Sequence, residues 1–197
     1  MATSTKSKRT PRAKHLPGEE GTWIFILGDM TVFALLFGVF IQARSKDPAL
    51  FDHASAQLNQ NYGAVNTLFL LTSSLFVITG IRAIRDHIQK VAMWCFIGAM
   101  ACGFGFLTLK VLEYHHELSR GLNPAKNDFF MYFFVLTGLH AFHLIIGMAV
   151  LTFLVVQSRR PEPPSEKRFA FIEGGACFWH MVDLLWIVLF PLLYLMK

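Results

Sequence analysis

A bundle of five transmembrane helices, an all-α membrane protein, is the fold class this sequence predicts, and three observations predict it. Of the 197 residues 54% are apolar, 14% are aromatic and only 16% are charged, a balance rare in a soluble domain of this length. Five windows reach the roughly 20 apolar residues needed to cross about 30 Å of hydrocarbon at 1.5 Å per residue. The connections between them are short and carry turn chemistry, as in Arg44-Ser45-Lys46-Asp47-Pro48 and Arg160-Pro161-Glu162-Pro163-Pro164.

The windows run over residues 22–43, 62–81, 91–112, 129–157 and 169–196. The first carries Asp29 two turns in. The second opens on Asn66-Thr67 and holds the hydroxyls of Thr72, Ser73 and Ser74, which can bond across helices or back to their own carbonyls. The third has Ala99 and Gly103 four apart, a spacing for close helix approach, and ends with Lys110, Glu113 and Glu117 on one face. In the fourth, Gly138 and Gly147 flank His140 and His143. The fifth opens on Glu173-Gly174-Gly175-Ala176 and contains Trp179, His180, Asp183 and Trp186; Pro191 near its end predicts a terminal kink. Cys95, Cys102 and Cys177 fall inside spans with no CxxC pair, so they read as buried free thiols.

Residues 1–21 read as a disordered, basic, cytoplasmic tail ahead of a single membrane domain, residues 22–197. The tail has no large apolar residue before Leu16, which argues against an amphipathic targeting helix, and the first span is too long for a secretory signal. Lys and Arg concentrate in the tail, in the second connection (Arg82, Arg85, Lys90) and in the fourth (Arg159, Arg160, Lys167, Arg168). All of these fall on one side, so the N-terminus is expected in the cytoplasm and the C-terminus outside. The net charge of +5 then reads as topology and attraction to anionic headgroups. With no basic stripe on a folded surface, nucleic acid is not an expected partner.

The ionisable residues inside spans need a reason, because each costs about 2.5–3.5 kcal/mol on insertion scales. His140 and His143 fall about 17 and 21 Å into the fourth span, and His180 and Asp183 lie at matching depths in the fifth. The expectation is a midplane contact between these two pairs, with Trp179, Asp183 and Trp186 (i, i+4, i+7) marking an inward seam. Lys110 with Glu113 is expected to be an interfacial ion pair with a snorkelling lysine. Glu173 is expected to complete a helix N-terminus beside Arg168. Asp29 has no basic residue before it within its span.

The midplane set has acceptable metal-ligand chemistry, yet no HExxH, paired Glu-x-x-His or Cys-rich pattern accompanies it, so no metal is expected. A structural hydrogen-bond network and a proton relay both remain open. An autonomous transporter or proton channel is the contrasting class, but there is no inverted repeat and no matched pair of interrupted helices. No dinucleotide, flavin or haem motif supports a free-standing oxidoreductase.

Asn66-Thr67, Glu113-Tyr114, Gly138-Leu139-His140 with His143 and Gly147, and Glu173 followed by Trp179-His180, Asp183 and Trp186 resemble subunit III of cytochrome c oxidase and related haem-copper oxidases, in order across all five spans. Asp29 stands where that family usually has a carboxylate. The resemblance implies a non-catalytic integral subunit with no cofactor of its own, packed against a catalytic subunit that holds haem and copper. It also implies bound phospholipid, support for assembly and sustained proton uptake, and a place in a bacterial inner membrane. Longer members have seven helices; this chain corresponds to their last five. Longer members also often carry a membrane glutamate five residues before Asn-Thr, where this chain has Asn61, which cannot titrate. Leu16-Pro17-Gly18-Glu19-Glu20-Gly21-Thr22-Trp23, leading to Asp29, is similar to a branch found as accessory proteins of bacterial nitric oxide reductase, an alternative partner.

Overall fold

The computed structural model describes residues 20–160 and 164–196, so most of the predicted tail lies outside the described residues. Five helices are long and apolar enough to cross a membrane: α1 (Glu20–Lys46), α3 (Gln60–Arg85), α4 (Gln89–Ser119), α5 (Asp128–Ser158) and α6 (Glu166–Phe190). The first four predicted windows fall within α1, α3, α4 and α5, and the fifth falls within α6 and the turn that extends it, except for Met196 just beyond. Each helix runs beyond its apolar window because polar residues continue the hydrogen-bond ladder past the hydrocarbon-compatible stretch.

The first connection differs from its predicted irregular form. Lys46 still belongs to α1, and after a break at Asp47 a short helix, α2 (Pro48–Ser55), begins. Local chemistry explains it. Asp47 Oδ1 accepts from Leu50 N–H at 3.1 Å, and Pro48 sits where its missing N–H costs nothing. Asn59 and Asn127 cap α3 and α5 in the same manner. The α3–α4 turn is tighter: His87 adopts φ 61°, and Ile88 N–H donates to Ala83 O at 2.8 Å. Glycine usually fills such a left-handed helix end, and α4 then starts with no side-chain cap.

Of the spans, α6 is the most buried and α1 the least. Trp179 and Trp186 of α6 are fully enclosed with Phe33 and Phe40 of α1, Phe106 of α4 and Phe133 of α5. Small residues admit the large indole. A Cβ at Gly147 would lie 2.8 Å from Trp179 Cε3, and one at Gly103 only 2.5 Å from Met148 Sδ. Gly138 has no such role, its nearest neighbour being Tyr114 Oη at 3.9 Å. The cysteines are free but only partly buried, not fully buried as expected.

At Pro191 the helix changes pitch. Proline has no N–H to donate, and Pro191–Leu195 forms one wider turn, closed by Met196 N–H donating to Pro191 O at 2.9 Å. The predicted kink is therefore a π-helical turn, and it carries Tyr194 into the core.

Candidate functional site

The ionisable residues of the spans form separate groups, and the expected midplane contact between His140 or His143 and His180 or Asp183 does not form. His143 instead faces α1, with Nε2 3.0 Å from Asp29 Oδ1. Its Nδ1 lies 2.8 Å from the Leu139 carbonyl oxygen, which can only accept, so Nδ1 carries a proton. Nε2 then either donates from an imidazolium to a carboxylate or accepts from a carboxylic acid. Either way the pair holds one proton between the two groups and is neutral overall, which makes its placement at this depth tolerable.

The second group ties α6 to α3. His180 Nδ1 is 2.7 Å from Ser74 Oγ and 3.9 Å from Asp183 Oδ2. Asp183 is buried, and neither carboxylate oxygen has a hydrogen-bond partner among the described residues. His140 forms no hydrogen bond through either nitrogen; its ring packs 5.5 Å from Phe106 and 5.3 Å from Trp186. It is thus an aromatic-core histidine. The seam of Trp179, Asp183 and Trp186 does face inward, all three being buried, and Trp186 Nε1 donates to Thr67 Oγ1 at 3.0 Å. Asn66 is fully buried beside it in sequence.

The third group overturns the expected interfacial pair. Lys110 and Glu113 are buried, at 2% and 0% exposure, so this lysine does not snorkel. Its ammonium donates to Glu113 Oε2 at 2.7 Å and to Tyr194 Oη at 2.9 Å, while Tyr194 Oη donates to Glu113 Oε1 at 2.6 Å. The triangle is closed. Aromatic rings of Trp186 and Phe133 stand 4.8 and 5.1 Å from Lys110 Nζ, a cation–π setting that replaces part of the lost hydration. Glu117, one turn further along α4, is also fully buried and faces Arg120 and His116 at 3.5 and 3.4 Å.

Glu173 finds its partner across the bundle, where Arg85 of α3 lies 2.5 Å away and stacks over Phe169. The proximity of Arg168 in sequence had pointed elsewhere. Tyr194 was missed altogether by sequence reasoning; the only available signal was a lysine and a glutamate three apart within reach of an apolar span, which a third polar group could complete. Among the described residues no three His, Cys, Asp or Glu side chains converge as metal ligands would.

These groups all lie within one bundle of five membrane-length helices. The family model for cytochrome c oxidase subunit III matches residues 19–197. Cytochrome c oxidase subunit 3 of Synechocystis sp. is 32% identical over 176 residues, covering 89% of this chain and 74% of that protein. Cytochrome bo(3) ubiquinol oxidase subunit 3 of Pseudomonas putida is 28% identical over 180 residues, covering 89% and 85%. The heme-copper oxidase subunit I+III of Aeropyrum pernix is 25% identical over 179 residues, which are 88% of this chain and 22% of that one. With a match running from the start of α1 through the final turn, the chain belongs to the cytochrome c oxidase subunit III family.

Proposed function

We propose that this chain is a non-catalytic subunit of a haem-copper respiratory oxidase, seated against the catalytic subunit in a bacterial inner membrane with its N-terminus in the cytoplasm. The single observation that carries the reading is the family match across every span. A relative named as a fused subunit I+III supports subunit I as the neighbour. In this role the chain contributes to assembly, holds phospholipid and sustains proton uptake by its partner, in which haem and copper reside.

The Asp29–His143 pair supports the proton part of the proposal, since it holds one proton at a partly open position, with side chains 13% and 10% exposed. The nitric oxide reductase reading keeps one specific support, the likeness of residues 16–29 to that branch. Affinity purification of the tagged chain in mild detergent, followed by absorption spectroscopy and mass spectrometry, tests both. Copurified haem-copper oxidase subunits are the expected result, and nitric oxide reductase subunits select the second reading. A haem-free homo-oligomer overturns both and directs attention to flux assays in proteoliposomes.

A further inference from the structure

We infer that the outer side of the seam between α3 and α6, around His180, is the face on which the catalytic subunit docks, with a span of that subunit meeting His180 Nε2 through a hydroxyl or amide side chain. The inference rests on the proposed place of the chain in an oxidase complex and names the surface it uses there.

His180 is the fifteenth of the 30 residues in its span, Glu166–Leu195, so it stands at mid-depth. Its side chain is nevertheless 32% exposed. The ring is held from behind: Nδ1 lies 2.7 Å from Ser74 Oγ, and the buried carboxyl of Asp183, one turn on, is 3.9 Å from the same nitrogen. Nδ1 is therefore occupied, while Nε2 on the far side of the ring makes no bond to a described residue. In either tautomer Nε2 needs a donor or an acceptor, and hydrocarbon supplies neither. A hydroxyl or an amide can serve in both cases.

Other polar groups at the rim of the bundle need no such partner. Thr31, Thr72, Thr79, Thr108 and Thr152 each donate to the carbonyl four residues back on their own helix, at 2.7–2.9 Å, so acyl chains can cover them. His143 spends both nitrogens within the chain, on Leu139 and Asp29. His180 keeps one nitrogen in hand at an accessible position. The surface around it suits a helix: Leu71 and Leu75 flank Ser74 on α3, Leu184 and Ile187 follow His180 at i+4 and i+7 on α6, and these four are 47–64% exposed. One polar point in an apolar field is a pattern by which spans recognise each other in a membrane.

The test uses the assembled complex in its own membranes. A photoreactive benzoylphenylalanine is placed at Leu184, at Leu75 or, for comparison, at Leu35 on the outer face of α1, which is 67% exposed. Irradiation and mass spectrometry identify what each label reaches. Adducts from Leu184 and Leu75 to the catalytic subunit are the expected result. In parallel, affinity purification of the tagged chain measures how much catalytic subunit is retained, normalised to the folded chain recovered by size exclusion. His180→Leu is expected to lower retention about three- to tenfold, the range of one interhelical hydrogen bond in a membrane, and His180→Gln to restore most of it. Adducts to the catalytic subunit from Leu35 alone leave the proposed function standing and overturn this docking face. Labels at Leu184 and Leu75 that reach only lipid or a second copy of the chain, or full retention by His180→Leu, overturn it as well. A wild-type chain that brings down no catalytic subunit overturns the proposed function itself.

Discussion

The Lys110–Glu113–Tyr194 triangle and the Asp29–His143 pair both place ionisable groups within a span, and they do so in opposite ways. In the triangle every member bonds to the other two: two of the three ammonium protons, both carboxylate oxygens and the phenol are engaged, all within the core. In the pair one carboxylate oxygen of Asp29 has no partner, and both side chains reach the rim of the bundle. The closed group is enclosed on every side, whereas the pair sits at the edge of the bundle. On this difference we propose structural work for the first and proton handling for the second.

The strongest way to break that comparison is Glu113→Ala. It strands the Lys110 ammonium in the core, and losing one partner of a buried pair costs about 3–5 kcal/mol. The expected outcome is a large loss of folded protein, read by fluorescence-detected size exclusion and by thermal unfolding in detergent. Lys110→Met combined with Glu113→Leu should recover most of it, because well-packed apolar replacements remove the desolvation penalty together with the pair. Normal folding of Glu113→Ala would contradict the structural assignment of the triangle.

Tyr194→Phe is the next test, removing two charge-assisted hydrogen bonds while keeping the ring. A destabilisation of about 1.5–3 kcal/mol is expected, within the range for single bonds to charged groups because Lys110 and Glu113 still hold each other. Thermal unfolding against the wild type measures it. Gly147→Ala should follow at about 1–3 kcal/mol, since the rigid Trp179 ring 2.8 Å from the new Cβ has to move. Gly138→Ala, on the same helix with open space beside it, should leave the unfolding midpoint unchanged. Equal effects from the two glycines would remove close packing at Trp179 as the explanation.

Hydropathy revealed the five spans, because a hydrocarbon core fixes the length of an apolar run. It could not reveal α2, whose existence rests on one aspartate cap and one proline within a polar connection. The inward seam of Trp179, Asp183 and Trp186 followed from helical spacing alone. Pairing between helices did not follow, because depth along an axis says nothing about rotation around it. His143 lies mid-helix but turns toward Asp29 of α1, and His180 turns toward Ser74 of α3. The Lys110 group was misplaced for a related reason. Its position near a span end suggested snorkelling, yet the wider turn after Pro191 folds Tyr194 over it and closes the route to the interface.

Asp29→Asn is expected to affect stability less than Glu113→Ala, Tyr194→Phe or Gly147→Ala, and it is the most informative about function. With Nδ1 of His143 committed to the Leu139 carbonyl, a neutral His143 presents a bare Nε2 that the amide N–H of Asn can meet. The substitution therefore reproduces the neutral form of the pair and removes only the proton that could leave it. Thermal unfolding should change by less than about 1 kcal/mol, the scale of one retained hydrogen bond. Sustained turnover of the assembled complex, followed as oxygen consumption over many cycles at several pH values, should fall relative to the wild type. If Asp29→Asn instead destabilises the chain as much as Glu113→Ala and leaves turnover intact, the two groups do the same work, and the open rim at Asp29 is only a less complete version of the closed triangle.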